Sequence, residues 1–377
     1  MLINQIMQTK MTEPIDSMKT RSNSNSNLNG TLRRRCRRIL FRLASIVLGC
    51  GFAFVVCEVL LRIFIEQEVK RLASYDPDLG WRGRPNGKGM YVRKADGIRV
   101  PFRYNNIGYR DDDVLAKEPQ QHRVMLLGDS FIENLEVEFE KTFPALIEKK
   151  LRQTSVDWDS VVIGSQGYST AQELLAFRKF KDLVKPDVVV QFFYCGNDFE
   201  DNLRRSFAYL DDNRKLQITS QQDSWWKIQI RTTQRWFYET SHVVFLVKNQ
   251  LQSIAAVDLT PASKRAVDSD DEYKKEITSQ LIQQLSQEVA QSGASFWVVI
   301  IPFRDDLKEG KSDRQRYILQ ECDKHGVNVL DLSGFLSAQQ HYFETDIHFN
   351  TEGHKVVAQT ICELLDRETA IKNEVAR

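Results

Sequence analysis

Residues 123–130, RVMLLGDS, decide how this chain folds. Val124–Leu127 is a run of four apolar residues that shows no alternation and is too short for a core helix. That pattern predicts a strand buried on both faces, which occurs in parallel sheets covered by helices. Gly-Asp-Ser then predicts a sharp turn off the strand end. The same rhythm repeats downstream. TFPALIEKKLRQ (142–153) has helical periodicity, SVVIG (160–164) reads as a second strand, and TAQELLAFRKFKDLV (170–184) as a second helix. A third strand follows in DVVVQFFYCGND (187–198), then a long helix at about 272–292. The series closes with a strand in SFWVVIIP, a helix in SDRQRYILQECDKHG, a strand in VNVLDL and a final helix from about Thr351. Alternating strands and helices predict an α/β fold, a three-layer α/β/α sandwich with a mainly parallel sheet. Active sites in such folds gather at the C-terminal ends of the strands.

The rest of the chain is organised around this alternation. Its 377 residues carry a formal net charge of only +1, so no global field marks a nucleic-acid binder, and no nucleic-acid partner is expected. The charge is unevenly placed: Ser17–Cys57 contains no acidic residue, whereas Arg33, Arg34, Arg35, Arg37, Arg38 and Arg42 abut an apolar run. That run, LASIVLGCGFAFVVCEVLLRIFI (43–65), is about 35 Å long as a helix, against a hydrocarbon core of about 30 Å. Glu58 and Arg62, four apart near its end, can pair or reach the interface. We expect a transmembrane anchor over residues 39–65 after a disordered basic cytoplasmic tail over 1–38. By the positive-inside rule the remainder lies outside the cytoplasm, periplasmic in a cell with two membranes. A cleaved signal peptide fits less well, because the tail is long and no small-x-small pattern follows the run. VLGC (47–50) only loosely resembles a lipoprotein box. Cys36, Cys50 and Cys57 fall in or beside the anchor. Cys195, Cys322 and Cys362, an odd number without a CxxC, favour neither a disulfide framework nor zinc.

Residues 66–120 are expected to form a stalk and a β-hairpin with Asp96-Gly97 at its tip. The α/β domain is placed at 121–370, with an insertion at about 200–270 that breaks the α/β rhythm. Trp225, Trp226 and Trp236 sit in a predicted helix there, and ordinary amphipathic packing is the preferred reading over a substrate-binding platform.

Four polar clusters fall at the expected strand ends. Ser130 follows the first strand, where a helix-capping turn would look the same. Gly167 begins the loop after the second strand and permits close backbone approach to a ligand oxygen. Asn197, in CGND after the third, offers a side-chain amide for an oxyanion, or an Asx turn. In FETDIHFNTEGHK (343–355), His348 is a candidate general base and Asp346 its orienting acid. A metal site built from Asp346, His348 and His354 lacks a fourth ligand, and the six-residue spacing does not put two imidazoles on one helical face. No metal and no cofactor are expected. His354 is expected to be structural or solvent-facing.

Taken in order, Ser130 in GDS, Gly167, Asn197 in GND and His348 resemble the four blocks of the SGNH (GDSL-type) hydrolase superfamily, over about 122–366. DPDLGWRGRPN (76–86) and NNIGYRD (105–111) are similar to segments that precede the GDS strand in its membrane-anchored bacterial members. The resemblance implies Ser130 as nucleophile, His348 as base and Asp346 as acid. The oxyanion hole would be the N–H groups of Ser130 and Gly167 with the Asn197 amide. Two departures stand out. The usual acid position, three before the histidine, is Thr345, leaving Asp346 and Glu344 as alternatives, and the Asn expected before the second loop is Val162. The implied function is an exported serine esterase acting on an acetyl or acyl ester of a glycan or lipid through an acyl-serine. A polysaccharide O-acetyltransferase with the same triad, which would need a membrane partner to supply acyl groups, and a non-catalytic exported binding or scaffold domain are the alternatives.

Overall fold

In the computed structural model, residues 16–65, 73–93, 96–153, 158–204, 207–219, 224–257 and 271–375 are described. The chain divides into two compact units, Met1–Glu66 and Gln67–Arg377.

The first unit is one helix, α1 (Asp16–Phe64), whose Arg34–Phe64 portion is long and apolar enough to cross a membrane. Its apolar side chains are exposed, and Arg62 pairs with Glu58 at 2.8 Å. The helix begins within the stretch expected to be disordered, at Asp16. Once the apolar segment has nucleated a helix, each added residue gains a backbone bond even in a Ser/Asn-rich sequence. Residues 1–15 lie outside the described residues.

The second unit is built on five strands: β5 (His122–Gly128), β6 (Trp158–Gly164), β7 (Val188–Tyr194), β10 (Ser295–Ile301) and β11 (Asn328–Asp331). Their order in space is β11-β10-β7-β5-β6, and every pairing is parallel. Side chains alternate across the sheet. Met125 and Leu127 face a core completed by Leu174 and Phe177 of α4 (Thr170–Val184) and by Ile277, Leu281 and Leu285 of α8 (Asp271–Gln291). Val124 and Leu126 face the other core, with Phe143 and Ile147 of α3 (Phe143–Leu151) and Val357 and Ile361 of α11 (Thr351–Val375). Each such side chain, fully removed from water, contributes about 1.5–3 kcal/mol before entropy is counted. The expected three-layer α/β/α sandwich is therefore present.

The segment expected as stalk and hairpin belongs to this unit. β3 (Lys88–Arg93) and β4 (Ile98–Arg103) pair as an antiparallel hairpin. Leu79 and Tyr109, from the segments before and after it, are completely buried in the same core as α4. Asp111 reaches further: its Oδ2 accepts the Val162 N–H at 2.8 Å. A buried carboxyl thus serves the strand that lacks the expected Asn.

Within the expected insertion, β8 (Ala208–Leu210) and β9 (Leu216–Ile218) form a small antiparallel pair. The single helix expected around Trp225–Leu251 is two, α6 (Trp225–Thr240) and α7 (His242–Val257), broken at Ser241. The break is capped, with Ser241 Oγ accepting the Val244 N–H.

Candidate active site

Ser130 is carried by the turn from β5 into the one-turn helix α2 (Ser130–Glu133). Asp129 caps that turn, its Oδ1 accepting the Phe131 N–H at 2.9 Å. Gly128 and Gly164 are register partners at the ends of β5 and β6, and a Cβ on Gly164 would lie 2.6 Å from the Gly128 carbonyl oxygen. Only glycine lets the two strand ends and the serine turn close up this tightly.

The loop between β11 and α11 delivers the other two groups. His348 Nε2 lies 2.8 Å from Ser130 Oγ, and His348 Nδ1 lies 2.5 Å from Asp346 Oδ1. Asp346 Oδ1 also accepts the His348 backbone N–H at 2.8 Å, so a two-residue spacing turns the carboxylate back under its own histidine. Glu344 is not in this relay. Its carbonyl, with that of Phe343, accepts from Arg304 at 3.0 and 2.9 Å, which pins the loop. The ring of Phe131 packs on the imidazole with centroids 4.8 Å apart.

Electrostatics polarise the relay. Burial works against the Asp346 charge, but bonds to His348 and the Arg93 guanidinium hold its carboxyl down at about 2. Burial likewise opposes the imidazolium of His348. The Asp346 hydrogen bond, with the nearby Glu136 and Asp129 carboxylates, outweighs it and raises His348 above the usual histidine value. Arg93 is the residue that sequence reasoning missed. It leaves the β3–β4 hairpin, pairs with Asp346 and Asp96, and lies over the Phe343 ring at 4.8 Å. Glu136, 3.8 Å from His348 Nδ1 and buried, was missed as well. Nothing in the local pattern around either residue signals the site, since both arrive through tertiary contacts.

Of the remaining predicted residues, Asn197 is bonded to Asp129. Asn197 Nδ2 donates to Asp129 Oδ2 at 3.3 Å and to Asp201 Oδ2 at 2.9 Å. Gly167 adopts a left-handed φ of 77°, and Gln166 before it donates its N–H to buried Glu133 at 2.7 Å. The Gly167 carbonyl accepts from Arg204. Among the described residues neither Asn197 nor Gly167 is hydrogen-bonded to Ser130. His354 belongs to another place altogether. It is buried, its Nδ1 accepts the Phe143 N–H at 3.1 Å, and burial pushes its imidazole down to about 3. The solvent-facing alternative for His354 is thereby excluded and the structural one holds. Among the described residues no cluster of three metal-ligating side chains occurs.

A cleft of about 1670 Å³ is lined by Arg93, which pairs with Asp346, and by Trp81, Gln166, Trp236 and Phe237, among others.

A family model described as an SGNH hydrolase-like domain, acetyltransferase AlgX, matches residues 259–376, which include Asp346 and His348. No curated protein sequence matches the chain. Among solved structures, TesA is similar at 14% identity and a TM-score of 0.38, covering 64% of this chain and 96% of that one. An esterase, EstA, from Pseudoalteromonas sp. is similar at 8% identity and 0.39, with 66% and 99% covered. An acetyl xylan esterase, AlAXEase, stands at 14% and 0.39, with 64% and 98% covered.

Proposed function

We propose that this chain, a member of the SGNH (GDSL-type) hydrolase superfamily, is a membrane-anchored serine esterase or acyltransferase that works through an acyl-Ser130 intermediate. The observation that carries the reading is the unbroken relay from Ser130 Oγ through His348 to Asp346. Ser130 Oγ adds to the ester carbonyl while His348 Nε2 takes its proton. The tetrahedral intermediate collapses, the alkoxide leaves with the proton returned by His348, and an acyl ester on Ser130 remains. A second hydroxyl, from water or from an acceptor, gives its proton to His348, adds to that ester and releases Ser130. Asp346 holds the imidazole with Nδ1–H toward itself and stabilises the imidazolium.

The Ser130 and Gly167 N–H groups and the Asn197 amide are our candidates for the oxyanion hole. For Asn197 to serve, one amide hydrogen must leave Asp129 or Asp201 when the oxyanion forms. The substrate we propose is an acetyl or acyl ester of a glycan or lipid.

Acyl transfer is favoured as a second reading by the acetyltransferase family model that matches the His348 segment. It would call for a membrane partner that supplies acyl groups. We further propose that Arg34–Phe64 anchors the protein with its basic N-terminus in the cytoplasm and its α/β domain outside, periplasmic where two membranes exist.

Labelling of the full chain with a fluorophosphonate tests the nucleophile. We expect modification of Ser130 that Ser130→Ala abolishes, and an unlabelled wild-type serine would leave only a binding domain. Supplying an acetylated glycan with and without a second glycan then separates acetate release from transfer.

A further inference from the structure

Helix α6 has its polarity inside out. At 100° per residue, Trp225, Trp226, Ile230, Trp236 and Phe237 fall within an arc of about 140° that contains no charged residue. These five side chains are between 47% and 75% exposed. The opposite arc carries Lys227, Arg231, Arg235 and Glu239, of which Lys227 and Arg231 are exposed and Glu239 meets the domain. Glu239 is nearly buried and pairs with Arg84 at 2.8 Å and with Arg235 at 3.1 Å. α7 also exposes apolar side chains, Val247 and Leu251. The expected amphipathic packing of the Trp-rich segment therefore does not occur. A helix that packs in a soluble domain turns its apolar stripe inward, and large contiguous exposed patches mark docking surfaces.

Two observations select the occupant. Eight residues lie between the end of α1 at Phe64 and the first strand at Ala73, and the nine steps from one to the other span at most about 32 Å even when fully extended. Ala73 and Tyr75 of the first strand of the domain line the same cleft as α6, so the inverted helix sits at the tethered end of the domain. The chemistry also fits: aromatic residues on one face with exposed Lys227 and Arg231 beside it, Lys227 lying 5.5 Å from the Trp226 ring, is the composition of helices lying in a lipid interface.

We propose that α6 and α7 form a second membrane contact, with the Trp225/Trp226/Trp236 face inserted at headgroup level in an anionic phospholipid leaflet. The inference rests on the anchor reading of Arg34–Phe64. Docked in this way, the α6 face adds a second attachment to the bilayer.

The test uses the full chain in nanodiscs of phosphatidylcholine and phosphatidylglycerol, one copy per disc, with some lipids carrying a doxyl quencher near the headgroup. α1 contains no tryptophan, and three of the six in the chain are Trp225, Trp226 and Trp236. Doxyl lipid is expected to remove up to about half of the emission, as interfacial tryptophans require, while aqueous iodide removes little. The triple variant W225S/W226S/W236S should lose the doxyl effect, and discs of phosphatidylcholine alone should weaken it. Failure of the chain to enter discs would overturn the anchor reading and this inference together. A disc-bound chain quenched by iodide and untouched by doxyl lipid overturns the docking alone. Protection from iodide that appears only with two copies per disc assigns the face to a second copy, and equally overturns it.

Discussion

His348 and His354 lie six residues apart and have opposite chemistry. His348 keeps a carboxylate on one ring nitrogen and a serine hydroxyl on the other, and its imidazolium is favoured. His354 is enclosed by Phe143 and Phe349, accepts one backbone N–H and stays neutral down to about pH 3. The same side chain thus favours its charged form where carboxylates surround it and is a fixed neutral acceptor where rings do. Local sequence does not distinguish them; the partners brought from residues 93, 130 and 143 do.

The most severe way to break the comparison is to remove the proton carrier. His348→Ala or Ser130→Ala should lower kcat by roughly 10⁴–10⁶, since members of such a relay act as a unit. His354→Ala should instead leave kcat of the folded protein nearly unchanged, with ester turnover as the readout. A smaller loss is expected for Asp346→Asn, on the order of 10⁴ in kcat, because the amide favours the wrong imidazole tautomer. Glu344→Gln should change kcat little. If the two carboxylate variants behave in the reverse order, the acid has been misassigned.

Arg93→Gln sharpens the comparison further. Losing the guanidinium removes a charge-assisted bond from Asp346, and we expect about a tenfold fall in kcat, partly restored by Arg93→Lys. The pH profile should carry the same signature. With His348 raised above its ordinary value of about 6.5, kcat/KM rises as pH passes upward through the raised value and the base loses its proton. With Arg93 gone, the full charge of Asp346 acts on the imidazole, and the rising limb should move to higher pH.

How much of this was readable beforehand follows from distance along the chain. The sheet was legible because buried parallel strands such as Val124–Leu127 and Val188–Tyr194 are continuous apolar runs between helical periods. Ser130, Asp346 and His348 were legible because each sits in a short polar block at a strand end or before a helix. Arg93 and Glu136 were not, since a hairpin arginine and a loop glutamate have no local mark. Asp111 accepts the Val162 backbone N–H from fifty-one residues away, and only packing reveals such a contact. Residues 225–240 misled for a different reason. Helical amphipathicity shows that one face is apolar, and it does not show which face meets the protein.

The gentlest test separates the histidines by stability instead of rate. His354 is neutral in the folded protein down to about 3 but titrates near 6.5 when unfolded. Below pH 6.5 the unfolded chain therefore takes up a proton that the folded chain refuses. Stability must fall as pH drops, by at most about 1.4 kcal/mol per pH unit from this group. His348 has the opposite linkage: its contribution is complete below about 6.5 and is lost as pH rises through its raised folded value. The interval from pH 6 to 5 thus isolates His354 from His348, and Asp346, held at about 2, does not begin to cost stability until pH approaches the ordinary carboxylate value near 3.9. His354→Asn keeps an acceptor for the Phe143 N–H without a titrating ring. In urea unfolding of the two proteins at pH 6 and 5, the wild type should lose more stability between the two pH values than the variant does. Equal losses would mean that His354 reaches water, and the contrast between the two histidines would collapse.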